Sequence, residues 1–362
     1  MESKEKDLNG VNTSLINTQC DPPHKSTKKD IIITHNGKFH LDEVLACVIL
    51  KSIRPESVIV RTRNSELIEK LKELGYVYSI VDVGGVFDNT KRYFDHHQAG
   101  FEETYSEKYS VTLSSSGLVY KYMRDEFFRS VGVDKDKEEL YEELVEDIYL
   151  EYFLYADAID NGVTIYGEII PRTMASMIDS LYEYKKDENE RVENDINSLI
   201  EEILEDRIKD TDQSFYKGFN LVEEDLKRYL HKKINHWLPS FKNLDRFVRE
   251  STSDILIIDK DTVISTEMIN VVEKKYNKDI KFLIYDDKNH KRICTINKAR
   301  WRFESKHSLK KEWGGLRNEE LDRVSKIPGG IFVHRTGFTG AHTTLEGAMK
   351  MCRESLKDEE RR

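Results

Sequence analysis

Thiols are scarce in this chain: four cysteines in 362 residues, none in a Cys-x-x-Cys pair. That excludes a disulfide framework and a finger-type zinc site, and is expected of free thiols in a reducing compartment. No apolar run approaches the roughly 18 residues needed to cross a bilayer, so no membrane partner is expected. Segment 1–29 lacks both an apolar stretch and the Arg-rich, acid-poor character of an import peptide, and it reads as a disordered tail. The expected location is therefore cytoplasm or nucleus. Cations are also in deficit, 57 Lys and Arg against 67 Asp and Glu. A net charge of -10 argues against coating nucleic acid with the whole surface.

The charge is unevenly spread. Residues 138–160 hold nine acids and no Lys or Arg, whereas 288–311 hold nine Lys or Arg and one acid. Solvated helix faces of opposite sign would give that pattern, and so would a cation-dependent enzyme with an anionic substrate.

Three clusters in the first third carry most of the chemistry. They are His35-Asn36-Gly37-Lys38-Phe39-His40-Leu41-Asp42, a lone acid in Val81-Asp82-Val83-Gly84-Gly85, and Asp95-His96-His97. Together they offer four imidazoles and three carboxylates, donors that suit Mn²⁺, with Mg²⁺, Co²⁺ or Zn²⁺ as substitutes. Any one of these histidines taken alone is as well explained as a satisfied structural residue. The local patterns alternate. Ile31-Ile32-Ile33 reads as a strand, 41–53 as an amphipathic helix, Val58-Ile59-Val60 as a strand, 65–74 as a helix, 79–83 as a strand and Tyr93-Phe94 as the end of another. Such alternation predicts an α/β fold with a doubly wound parallel sheet. In that architecture ligands gather beyond the carboxyl ends of the strands, where His35, Asp82 and Asp95-His96-His97 all fall.

Helical patterns follow over 116–131 and 138–156, the second running into Ala156-Asp157-Ala158-Ile159-Asp160-Asn161-Gly162. A second, smaller α/β domain is read from strand-like 254–258, 281–285, 292–296 and 331–333 and a closing helix over 344–356. The expected organisation is a tail at 1–29, a metal-binding domain at 30–185, a helical connector at 186–240 and a substrate domain at 241–362, with a cleft between the domains.

Five of these motifs, in this order, resemble the Myg (melanocyte proliferating gene) exonuclease family, related to the DHH phosphoesterases. The fifth is Phe332-Val333-His334 with Gly337-Phe338, and the resemblance runs from Ile31 to Leu356. It implies a DHH-like catalytic domain and a metal-dependent phosphodiesterase, in this family a 3′–5′ RNA exonuclease linked to RNA processing, with relatives in nucleus and mitochondria. It further implies His35, His40, Asp42, Asp82, His96 and Asp157 as metal ligands, Asp82 bridging. His97 faces the phosphate and Asp95 orients its neighbours. Asp157 and Asp160 stay interchangeable as ligands, because one turn of rotation exchanges them. The chain departs from the wider DHH pattern at His40, where many relatives have Asp, and in its late glycine motif.

Two divalent ions about 3.5–4 Å apart that share a carboxylate can activate water and brace phosphate oxygens. A histidine aimed at the scissile phosphate, here His97, can protonate the leaving oxygen. For substrate, Lys298-Ala299-Arg300-Trp301-Arg302-Phe303 interleaves cations with aromatics, a composition that pairs phosphates and stacks unpaired bases. Arg335-Thr336-Gly337-Phe338-Thr339-Gly340 reads as a glycine turn presenting amides to an anion near the last helix, or as an ordinary turn. Lys298, Arg300, Arg302, His334 and Arg335 are the expected contacts to single-stranded RNA. A small-molecule phosphatase or pyrophosphatase on the same centre, and a non-catalytic RNA-binding protein, are the competing functions.

Overall fold

The computed structural model describes residues 29–183, 195–205, 213–258, 266–299 and 304–357. The expected tail up to residue 28, Arg300, Trp301, Arg302 and Phe303 lie outside the described residues. Two compact units emerge. One comprises the described residues up to Phe127 together with Leu154–Phe219, the other Phe128–Phe153 together with the described residues from Asn220 onward.

In the first unit, strands β1 (Ile31–Thr34), β2 (Val58–Arg61), β3 (Val77–Val81), β4 (Phe87–Asp88) and β5 (Tyr93–Phe94) form one sheet in the order β2-β1-β3-β5-β4. β2, β1, β3 and β5 run parallel, and β4 closes the edge antiparallel to β5. The β-branched run of β1 suits a central strand covered on both faces, and Ile31, Ile32 and Ile33 are each 0% exposed. Burying each side chain contributes roughly 1.5–3 kcal/mol before chain entropy. Helices α1 (Leu41–Ile53) and α2 (Ser65–Glu73) are the crossovers β1-α1-β2 and β2-α2-β3. Because these crossovers run in opposite directions along the sheet, right-handedness places the two helices on opposite faces. Leu67, Ile68 and Leu71 of α2, with Ile200 and Ile203 of a later helix (Ile196–Leu204), pack on Ile31, Ile33, Val60 and Ile80.

Helix α3 (Ser115–Ser130) follows, then α4 (Tyr141–Ile148), a π-helical turn over Tyr149–Phe153 and α5 (Leu154–Asp160). The helical reading of 138–156 holds there, and the π turn adds a residue that regular periodicity does not reveal. α6 (Met174–Asp179), α7 (Ile196–Leu204) and α8 (Gln213–Lys232) come next.

The second unit carries α9 (Leu238–Glu250), β6 (Ile255–Ile258), α10 (Thr266–Lys275), β7 (Phe282–Asp287), β8 (His290–Thr295), α11 (Asn318–Ser325), β9 (Gly330–Val333), β10 (Thr339–His342) and α12 (Leu345–Leu356). Its sheet has the order β6-β7-β8-β10-β9. Only β6 and β7 are parallel; the remaining pairs are antiparallel. Ile255, Phe282, Ile284, Ile293, Val333 and Met351 belong to its core. Residues 335–340 do not form a lone glycine turn leading to the last helix. Thr339 and Gly340 belong to β10, which is paired on both sides, and α12 is instead capped by Thr344, whose side chain accepts from the Gly347 amide. Among the described residues no helix is long and apolar enough to cross a membrane.

Candidate metal centre

β1, β3 and β5 are neighbours in the sheet and run parallel, so their carboxyl ends lie side by side. His35 follows β1, Asp82 follows β3, and Asp95-His96 follows β5. Three stretches remote in sequence thus release their side chains at one edge. Asp82 sits at φ +56°, a left-handed turn uncommon for a residue with a side chain.

Around Asp82 the contacts are close. His35 Nε2 lies 3.2 Å from Asp82 Oδ2 and 3.1 Å from Glu43 Oε1. His96 Nε2 lies 3.4 Å from Asp82 Oδ1 and 3.0 Å from Asp160 Oδ2, in orientations that form no hydrogen bond. Three sets of donors result, each able to converge on a point: His35, His40, Glu43 and Asp82; Asp82, His96 and His97; and Asp42, His96 and Asp160. Asp82 belongs to the first two sets and His96 to the last two, so the three overlap.

The electrostatics ask for a cation. Asp42 is 1% exposed, and neither of its carboxylate oxygens accepts a hydrogen bond from a described residue. Burial, then the charges of Asp82, Asp160 and Glu43, push this carboxyl well above the usual range. Burial opposes a charged His35, yet Asp82 and Glu43 push its pKa up to about 10. His96 behaves likewise: burial opposes the charge, while Asp160 and Asp82 carry it to about 10. Asp82, which burial would raise, is held below the carboxylate range by those two imidazoles. The surrounding carboxylates thus favour a positive charge on both imidazoles.

Asp95 and His97 form a pair beside this group, with His97 Nδ1 also 3.5 Å from Asp82 Oδ1. The Asp95 carboxylate accepts from the Gly85 amide at 2.6 Å and from the His97 amide at 3.1 Å, and it contacts His97 Nδ1 at 2.7 Å. The His97 side chain is 62% exposed, with its other ring nitrogen free of these contacts.

Asp157 and Asp160 part company. Asp157, fully buried, accepts from the Ser114 amide at 2.9 Å and the Ser114 hydroxyl at 2.8 Å, beside the start of α3. Asp160, three residues on, is the acid that meets His96. Glu43 was not among the expected ligands. Consecutive acids in the first turn of a helix read as partners of the macrodipole, and the Glu43 carboxylate does accept from the His40 amide at 2.8 and 2.9 Å. Its 0% exposure, invisible in sequence, marks it as more than a cap.

Of the expected substrate contacts, Lys298, His334 and Arg335 belong to the second unit, and Arg300 and Arg302 lie outside the described residues. Lys298 is exposed and paired with Glu304. His334 and Arg335 are exposed on the turn between β9 and β10, the His334 ring 4.6 Å from Phe338.

A family model, MYG1_exonuc, described as "Uncharacterised protein family (UPF0160)", matches residues 31–356. The chain belongs to this MYG1 family. Mouse MYG1 exonuclease is 30% identical over 368 residues, covering 94% of this chain and 90% of the mouse protein. A Dictyostelium discoideum MYG1 protein is 33% identical over 341 residues, 90% of this chain and 96% of its own. The solved structure of RecJ from Thermus thermophilus in complex with Mn²⁺ covers 91% of this chain and 52% of its own, at 10% identity and a TM-score of 0.24. A likeness that slight carries no argument about fold or activity.

Proposed function

We propose that this chain is a metal-dependent phosphodiesterase that removes nucleotides from single-stranded RNA in the 3′–5′ direction, in the service of RNA processing. The observation that carries the metal reading is the Asp42 carboxylate, buried without a donor near Glu43, Asp82, Asp160 and the His96 imidazole. Membership of the MYG1 family and the name exonuclease borne by its mammalian members support the nuclease reading. RNA as substrate and the direction of cleavage rest on the family resemblance.

In this reading His35, His40, Glu43 and Asp82 would hold one Mn²⁺, and Asp42, His96 and Asp160 would hold a second, with Asp82 beside His96. Bound there, the ions supply Lewis acidity toward a phosphoryl oxygen and make water a better nucleophile near neutral pH. The protein does the remainder. Asp95, fixed by the Gly85 amide, holds His97 by Nδ1, so that the other ring nitrogen can hand a proton to the leaving oxygen, worth roughly 10²- to 10⁴-fold in rate. Asp157 serves the fold by holding the start of α3. Lys298, Arg300, Arg302, His334 and Arg335, from the 241–362 segment, neutralise phosphates of the strand.

The test is to strip the protein with chelator, restore Mn²⁺ and offer labelled single-stranded RNA, single-stranded DNA, pyrophosphate and dinucleotides. Stepwise mononucleotide release from the 3′ end of RNA is expected. Turnover of pyrophosphate alone, indifferent to oligomer length, would transfer the site to a small-molecule phosphatase. A Mn²⁺-loaded protein that leaves every phosphoester intact ends the proposal.

A further inference from the structure

The loop between β1 and α1 carries two of the proposed ligands, His35 and His40, on irregular backbone, and such a loop holds its geometry only if something else fixes it. That something reaches in from β2. Arg61, the last residue of β2, donates from Nε to the His35 carbonyl at 3.1 Å and from Nη2 to the Gly37 carbonyl at 2.7 Å. Its guanidinium carbon lies 4.6 Å from the centroid of the Phe215 ring and 5.4 Å from that of Phe39. Phe39, the fully buried residue just before His40, meets Phe215 edge-on at 5.7 Å between ring centroids and Tyr182 at 6.1 Å. One turn further along α8, Gly218 leaves the space that Phe39 fills: a Cβ there would come within 3.3 Å of the Phe39 ring.

We infer that Arg61 is a positioning residue for the metal centre, a crossbar that fixes the backbone of the His35–His40 loop so that both imidazoles meet Glu43 and Asp82. Two features distinguish it from a general packing residue. Both of these hydrogen bonds go to main-chain carbonyls on either side of Asn36, in the loop that starts at His35. The planar guanidinium is also held against aromatic rings, which keeps the forked donors in one orientation, a role a lysine fills only in part because it stacks less well and lacks the fork. Groups that orient ligands from outside the coordination sphere typically change metal affinity by roughly 10- to 100-fold when removed.

The inference rests on the metal reading above, and the test separates the two. Mn²⁺ binding is measured by electron paramagnetic resonance on chelator-stripped wild type, Arg61→Met, Arg61→Lys and Phe215→Leu, at a temperature where circular dichroism shows each variant folded. Arg61→Met, which keeps the bulk and loses the donors, is expected to bind Mn²⁺ roughly 10- to 100-fold more weakly. Arg61→Lys should recover part of the loss, and Phe215→Leu should fall between wild type and Arg61→Met. Affinity of Arg61→Met equal to wild type, or a lysine variant as weak as the methionine one, overturns the role of Arg61. Should Arg61→Met not fold, Phe215→Leu decides, and unchanged affinity there overturns it. Wild type that takes up no Mn²⁺ sinks the metal centre itself and this inference with it.

Discussion

A carboxylate taken out of water with no donor in reach is unfavourable by several kcal/mol unless something compensates it. Asp42 is in that position, with Asp82, Asp160 and Glu43 close enough to repel it. Its side chain therefore destabilises the metal-free protein. Asp42→Asn is expected to stabilise the metal-free protein by roughly 1–2 kcal/mol, by replacing a carboxyl whose ionisation burial and the neighbouring acids oppose. The same change should abolish most of the stabilisation by Mn²⁺. Thermal melts in chelator and in Mn²⁺ check both halves, and a variant less stable than wild type in chelator would mean that Asp42 already has a stabilising partner. Asp82 stands at the centre of the contacts, touching His35, His96 and His97. If the proposed activity holds, Asp82→Ala should lower phosphodiesterase turnover by at least about 10³-fold, since it removes the acid that contacts both His35 and His96. Far-ultraviolet circular dichroism of the variant should match wild type.

At the scale of elements, one helix divides its labour in the proposed reading, Asp157 serving the fold and Asp160 the site. The Asp157 carboxylate secures Ser114 and lies so close to α3 that a Cβ on Gly117 would come 2.3 Å from Asp157 Oδ1. Gly117→Ala, a change that ordinarily favours a helix by about 1 kcal/mol, is expected here to lower the midpoint of urea unfolding. Asp157→Ala should destabilise by roughly 2–3 kcal/mol, because two buried donors lose their acceptor, yet leave Mn²⁺ binding measurable by resonance. Asp160→Asn should do the reverse, leaving the urea midpoint in chelator nearly unchanged and losing Mn²⁺. Equal behaviour of the two variants would deny the division.

The sequence left that pair open for a physical reason. Leu140, Leu144, Ile148 and Tyr152 follow a regular helical spacing, but the π turn at Tyr149–Phe153 widens the helix just upstream and rotates everything after it. Which acid faces His96 depends on that rotation, and residue periodicity does not encode it. β1, β2 and β3 were legible because buried parallel strands are written as β-branched runs, and α1 and α2 because their apolar residues recur at helical spacing. β10 was not: Thr339-Gly340-Ala341-His342 has almost no strand character of its own, and β8 and β9 hold it extended by pairing on both sides. The edge strand β4, only Phe87 and Asp88, is too short to leave a pattern. The ligand types were legible because imidazoles and acids clustered at strand ends have few other uses. Glu43 was missed because a first-turn glutamate already has an ordinary role as a cap.

For the whole molecule, cation binding is expected in the proposed reading to raise stability, given the net charge of -10 and the buried acids of the centre. A ligand that binds only the folded state stabilises it by RT ln(1 + [L]/Kd), about 2.7 kcal/mol at a hundredfold excess over Kd. In a chain of 362 residues that corresponds to a rise in melting temperature of roughly 3–5 °C. Simple attraction of counterions to an acidic protein would act for any divalent ion of similar charge, so the comparison that matters is between Mn²⁺ and Ca²⁺. Ca²⁺ seeks six to eight oxygens, whereas three of the seven proposed ligands offer imidazole nitrogen, which favours the transition ion. Mn²⁺ is therefore expected to raise the melting temperature by several degrees, Ca²⁺ at the same concentration by less than about 2 °C, and chelator to reverse the shift. In His35→Ala the Mn²⁺ response should shrink toward that of Ca²⁺, because one of the two proposed ion sites loses its buried imidazole. Differential scanning fluorimetry reads all four conditions. Equal shifts from the two ions, or a shift that His35→Ala leaves intact, would reduce the centre to a diffuse acidic surface.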